Sequence, residues 1–293
     1  RWIDRVGRSS PIFAYLHDID LHDPYRPEPP YDSLYGATES VRGKLDESRW
    51  KRTLARIQSG DLELDRQDID ELVRLYDGQL TFIDEQLGRL FDALDRRGLF
   101  DSALIILTSD HGDGFMEHGF ISHSVKPYDE LIRVPLIIQL PRAEMAGERI
   151  ERQVRLIDVM PSILDRLDLA IPDALDGRSI WRMLDEGSAE PVALSEVEMQ
   201  VEGGYRYYAS TRSRAWKMIG SETGPTELYD LTADPGEQHN LLPTVANPET
   251  ERLAEALAEA NEARGLLAVD QVPIEIRAAG PIIPLRLPST LST

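Results

Sequence analysis

Apolar positions recur at spacings of three and four between Ile69 and Leu94. Ile69, Leu72, Val73, Tyr76, Leu80, Ile83, Leu87, Leu90, Phe91 and Leu94 form one stripe, which predicts a long amphipathic helix starting at Asp65. Gly98, just past the stripe, is the expected stop. Three other runs lack this period and read as buried strands: Ile12 to Leu16, Ala103 to Thr108 and Val134 to Leu140. Pro135 sits near the start of the third, where a missing N–H does least harm. Residues 37–64 predict short helical pieces on the surface, and residues 157–169 predict a short amphipathic helix. After Pro172 the texture changes to brief β-forming runs at 192–197, 205–211, 215–219 and 228–231, followed by a helical pattern over 249–264. Helix, strand, loop, strand is the rhythm of an α/β core with a mainly parallel sheet. The expected organisation is a core over 1–187, a small α+β subdomain over 188–270 and a Pro-rich tail over 271–293.

The polar positions are not evenly spread. Two predicted strands end in dense polar loops, one running from His17 to Pro30 and the other from Ser109 through Lys126. Five of the six histidines lie there: His17, His22, His111, His118 and His123. In open α/β sheets ligands collect beyond the carboxyl ends of strands, so these loops are where chemistry is sought. Charge narrows the partner. With 32 Lys+Arg against 52 Asp+Glu the net charge is −20, which disfavours nucleic acid, because phosphate backbones are bound through cationic patches. No apolar run approaches the roughly 20 residues that span a bilayer. The chain has no cysteine, which excludes disulfides, thiolate metal sites and a cysteine nucleophile.

Asp110-His111-Gly112, placed directly after a predicted strand, has two readings. A carboxylate and an imidazole suit a hard divalent cation, with Gly112 and Gly114 allowing close backbone approach; alternatively Asp110 caps a turn and His111 packs beneath a loop. His22, in Asp20-Leu21-His22-Asp23-Pro24, is either a metal or substrate contact or part of a turn. His123 and Lys126 either carry positive charge to an anionic substrate or are solvated on the surface. His239 reads as a surface turn residue.

As a set, these motifs resemble the sulfatase family of the alkaline phosphatase superfamily, over roughly residues 11–243. The carrying elements are Tyr15 through Tyr25, the helix with Tyr76-Asp77 and Ile83-Asp84 leading to Ser109-Asp110-His111-Gly112, and Glu117-His118-Gly119. They continue through Tyr128-Asp129-Glu130, Ile157-Asp158-Val159-Met160-Pro161-Ser162, Asp176-Gly177-Arg178-Ser179 and Glu227-Leu228-Tyr229-Asp230-Leu231 with Asp234-Pro235, Glu237 and Asn240-Leu241. The resemblance implies an alkaline-phosphatase-like fold and a metal-dependent sulfuric ester hydrolase. On it, Asp110 and His111 match the second pair of metal ligands, and His22 the histidine on the leaving-group side of the ester. His123 matches the sulfate-binding cation, with Lys126 second. The implied ion is Ca²⁺, with Mg²⁺ or Mn²⁺ as substitutes. The implied partner is a sulfate ester, with sulfated carbohydrate as the class, in the periplasm or outside the cell.

The sequence also departs from the family. The formylglycine nucleophile derives from Cys or Ser in a C/S-x-P/A-x-R motif. Cysteine is absent here, and Ser9-Ser10-Pro11 lacks the motif's Arg. No Asp-Asp pair stands for the first metal ligands, and the Lys and His that follow the nucleophile have no counterpart. The expectation is a fragment without the N-terminal third of the fold and its export signal, inactive alone. The alternatives are a phosphodiesterase or phosphonate monoester hydrolase of the same superfamily, or a non-catalytic protein binding metal or glycan.

Overall fold

A computed structural model describes residues 11–37, 50–123, 125–187, 190–201, 204–242 and 244–267. The Pro-rich segment 271–293, and residues 38–49 of the predicted surface helices, lie outside the described residues. Helix α1 covers Trp50–Gln58 and helix α2 covers Arg66–Asp95. Asp65 starts α2 through a reciprocal cap: its carboxylate accepts from the Asp68 N–H at 2.9 Å, and the Asp68 carboxylate accepts from the Asp65 N–H at 2.9 Å. Gly98, at φ +62°, ends the helix as expected, and the Leu99 N–H closes back on the Leu94 carbonyl at 3.0 Å. The stripe is only partly what packing uses. Leu72 and Leu75 are buried with Tyr25, Trp50, Ile57 and Ile121, while Leu80 is exposed. The polar loop after His17 lies on α2 as well. A Cβ on Gly78 would fall 2.4 Å from the Tyr31 carbonyl oxygen, so only glycine lets the loop pass this close.

Strand β1, Ile105–Thr108, is joined to β4, Leu136–Gln139, by a hairpin of two-residue strands, β2 (Gly114–Phe115) and β3 (Ile121–Ser122), and a one-turn helix α3, Asp129–Ile132. β1 and β4 pair antiparallel, Ile105 opposite Gln139 and Thr108 opposite Leu136. The parallel pairing expected for the core is thus not found among the described strands. The expectation for Ile12 to Leu16 is also corrected: these residues form no strand, and Phe13 and Tyr15 are 77% and 78% exposed. The run is apolar enough to be buried, but no described strand pairs with it and none of the three buried clusters includes it. No described helix is long and apolar enough to cross a membrane.

Helices α4 (Val159–Arg166) and α5 (Ile180–Glu186) follow. The fully buried Asp158 carboxylate holds the turn before α4, accepting from Arg155 N at 2.8 Å, Arg155 Nη2 at 2.9 Å and Arg178 N at 2.9 Å. Gly177 lies against this turn so closely that a Cβ would be 1.9 Å from the Ile157 carbonyl oxygen. Gly177→Ala is therefore expected to cost about 1–3 kcal/mol, because backbone must move to admit it. A thermal or urea melt of the variant checks this.

The last part is an antiparallel sheet in the order β5 (Ala193–Val201), β6 (Gly204–Arg212), β7 (Trp216–Ser221) and β8 (Gly224–Asp230), covered by helix α6, Pro248–Leu267. Tyr207, Ala209, Met218 and Leu228 face Leu253 and Leu257 of α6. The opposite face meets α3. There the wholly buried Lys217 ammonium lies 3.0 Å from Asp129 Oδ1 and 2.7 Å from Glu237 Oε1, and Arg212 pairs with Asp129 Oδ2 at 2.9 Å.

Candidate active site

The short β2–β3 hairpin builds the site. Its register sets Gly114 opposite Ser122, so the flanking residues Asp113 and His123 come side by side. His123 Nδ1 lies 3.0 Å from Asp113 Oδ1, and the Tyr25 hydroxyl donates to Asp113 Oδ2 at 3.0 Å. Asp110 and His111 leave the end of β1. The Gly112 N–H bonds the Leu131 carbonyl at 2.8 Å, tying this loop to α3. The Ile19 turn, closed by His22 N donating to the Ile19 carbonyl at 3.0 Å, brings His22 in from the other loop. The imidazoles of His111 and His123 stack with centroids 4.1 Å apart, and the His22 ring stands edge-on to His123 at 4.8 Å.

Ligand atoms of His111, Asp113 and His123 lie within 4.8 Å of one another, a group able to hold a metal ion. His111 Nδ1 donates to the Gly112 carbonyl at 2.9 Å, which fixes the tautomer and leaves Nε2 as the free ligand atom. Asp110 is 80% exposed on its side chain. Slight burial pushes its carboxyl up, yet the His111 charge and the backbone N–H groups of Asp110 and His111 hold it below the usual range, so it is ionised. The Asp113 hydrogen bond raises the His123 imidazole above its ordinary value. Burial opposes this, and the charges of Asp113, Asp23 and Asp110 add to it. His22 Nδ1 is bonded to the Asp23 carbonyl at 2.8 Å, which directs Nε2 outward as its reactive nitrogen.

The residues singled out from the sequence thus divide. His22, His111 and His123 come together, with Asp110 at the rim. Lys126 does not join them; its ammonium pairs with Glu227 and lies 5.3 Å from the Tyr208 ring centre. His118 is structural: Nδ1 meets Glu130 at 2.6 Å, Nε2 meets the Glu237 carbonyl at 3.0 Å, and the ring stacks on Tyr128 at 3.6 Å. His239 is exposed beside Asp234, as its turn setting suggested. Asp113 and Tyr25 were missed as site residues. The only signal for Asp113 was its place between Gly112 and Gly114, and Tyr25 carried none.

Residues 1–169 match the family model described as Sulfatase, and residues 116–263 match that of the N-sulphoglucosamine sulphohydrolase C-terminal region. An arylsulfatase of Clostridium perfringens is 25% identical over 251 residues, covering 82% of this chain and 51% of the relative. An N-acetylglucosamine-6-O-sulfatase of Bacteroides thetaiotaomicron is 28% identical over 213 residues, covering 69% of this chain and 38% of the relative. This chain therefore spans about half of the length of the first and less of the second. Among solved structures, a phosphonate monoester hydrolase of Agrobacterium radiobacter superposes with a TM-score of 0.65 at 24% identity, covering 98% of this chain and 63% of that one.

Proposed function

The chain belongs to the sulfatase family, and from this we propose that His22, His111, Asp113 and His123 serve the metal-dependent hydrolysis of a sulfate monoester. The observation that carries the reading is the convergence of three imidazoles and a carboxylate contributed by two loops distant in sequence. The donor set fits a divalent cation. His111 Nε2 and the Asp113 carboxylate would hold it, with the ionised Asp110 alongside. The carboxylates favour Ca²⁺, and the imidazoles also suit Mn²⁺. Such an ion supplies charge neutralisation to the sulfate oxygens when bound.

The chain's own residues have separable roles. His123, whose protonated form the Asp113 hydrogen bond favours, attracts and orients the sulfate group. His22, its Nδ1–H engaged by the Asp23 carbonyl, can as the imidazolium deliver the Nε2 proton to the departing alkoxide and is left neutral. Tyr25 is a positioning residue, since its hydroxyl holds the Asp113 carboxylate toward His123. Sulfated carbohydrate is the proposed substrate class, in line with the name of the Bacteroides relative.

Titration of residues 1–293 with Ca²⁺, Mn²⁺ and Mg²⁺ by calorimetry tests the site. One bound equivalent is expected, weak and on the order of millimolar for so few protein ligands. Asp113→Asn should weaken it roughly tenfold or more, since partners of a metal shell alone are worth about 10–100-fold. Failure of all three ions to bind the parent chain sinks the reading. In the whole protein, cation-dependent cleavage of 4-nitrophenyl sulfate should exceed that of 4-nitrophenyl phenylphosphonate, and the opposite order would favour phosphonate ester hydrolysis.

A further inference from the structure

β6 outruns its neighbour. It pairs with β5 along its whole length, from Gly204 to Arg212, but with β7 only over Ala209 to Arg212. A notch remains beside residues 205–208, closed at the far side by the β7–β8 turn and underneath by Lys126. It is an open groove of about 420 Å³, lined by Lys126, Tyr205, Arg206, Tyr208, Ser221, Glu222 and Thr226. That volume is in the range of small-ligand pockets.

The lining has a chemical direction. Alternation along β6 sends Tyr207 and Ala209 onto α6, and Arg206, Tyr208 and Arg212 to the opposite face, where Arg212 meets Asp129 of α3. The notch lies at the uncovered edge of β6, so Arg206 and Tyr208 reach it from the α3 side and Tyr205, in step with Tyr207, from the α6 side. Tyr205 is 66% exposed, an aromatic surface held without cover. Arg206 pairs with Met199 through its backbone, while its exposed side chain makes no ion pair or hydrogen bond among the described residues. Lys126 shares its charge between Glu227 and the Tyr208 ring. Ser221, Thr226 and Glu222 surround these groups with hydroxyl and carboxylate oxygens.

We propose that this notch binds an anionic saccharide unit, one sugar ring bearing a sulfate or carboxylate, separately from the histidine site. Tyrosine rings present flat apolar faces to the C–H face of a pyranose, the Arg206 fork matches an oxyanion, and the hydroxyls and Glu222 pair with sugar hydroxyls. The charge of −20 sets the size of the ligand: it repels a long polyanion, while a ring carrying one negative group feels mainly the local Arg206, since Lys126 is already paired with Glu227. Choosing a sulfated sugar rests on the ester-hydrolase reading, whereas the existence of the pocket does not.

The test is calorimetric or ligand-detected NMR titration of the full chain with N-acetylglucosamine 6-sulfate, using N-acetylglucosamine as the neutral control, in EDTA throughout. EDTA silences the proposed cation site, so the two readings fail independently. Saturable binding of the sulfated sugar is expected, at least ~10-fold tighter than the neutral one, because an oxyanion on Arg is a charge-assisted contact. Arg206→Gln should remove that preference, and Tyr205→Ala should weaken both sugars; both residues are exposed, so both variants should fold. Three results would each overturn the proposal: no binding in EDTA, equal binding of the two sugars, or binding unchanged by both substitutions. Cation binding measured in the same variants should be unaltered, and its loss would place the effect in the histidine site.

Discussion

Lys217→Met should lower the unfolding free energy by about 3–5 kcal/mol, the usual cost of removing one partner from a buried ion pair. The Lys217 side chain is 0% exposed and serves two carboxylates, Asp129 at 3.0 Å and Glu237 at 2.7 Å. Methionine fills most of the volume, so the loss is electrostatic and not a cavity. The pH dependence separates this cause from misfolding. Burial pushes the Asp129 carboxyl up, but Lys217 and Arg212 outweigh it and hold the group below the carboxylate range. For Glu237 burial wins over the same lysine, and its carboxyl is raised. A depressed acid stabilises the fold above its unfolded pKa and loses that contribution as pH falls through the folded value. A raised acid does the opposite: its contribution is complete below the unfolded pKa and is lost as pH rises through the folded one. Without Lys217 the raised group dominates, because Arg212 still covers Asp129 and nothing equivalent covers Glu237. The variant should therefore lose less against the parent at about pH 5 than at pH 8. Equal losses at both would show that the lysine contributes by packing alone.

Gly112→Ala should reduce cation affinity by roughly 10–100-fold, the scale found when the support of a metal shell is disturbed. An added Cβ would fall 2.1 Å from the Glu130 carbonyl oxygen, which belongs to backbone and cannot swing aside. The Gly112 N–H bond to Leu131 would stretch, and the loop bearing His111 and Asp113 would move off α3, away from His123. Calorimetry gives the affinity, and a parallel melt should show a cost of about 1–3 kcal/mol. A variant that binds cations as the parent does would mean that the loop adjusts without carrying the ligands with it.

The two residues show how a site is legible to different depths. Gly112 was visible as the last member of an Asp-His-Gly triplet after a strand, but its reason, the Glu130 carbonyl, lies 18 residues on and has no local trace. Lys217 stands in a β-forming run whose flanks look ordinary. Its partners come from α3 and from the turn at Glu237, so its burial could not be anticipated from neighbours. Lys126 failed as a site candidate for the same reason: Glu227 claims its charge from a strand a hundred residues away. Asp113 was overlooked because two-residue strands are too short for alternation to register.

By itself the sequence determined the long helix from Asp65 to Gly98, the late sheet-forming runs, the terminal helix and the family, since capping, periodicity and ordered motifs are local properties of the chain. It also singled out His22, Asp110, His111 and His123 as candidates. Tertiary structure alone decided that β1 and β4 run antiparallel, that Ile12 to Leu16 is exposed and that Asp113 joins the histidines. The same holds for the notch beside β6 and for the burial of Lys217. Each depends on which distant backbone arrives alongside, and pairing, burial and charge compensation between remote segments leave no periodic signature in the segments themselves.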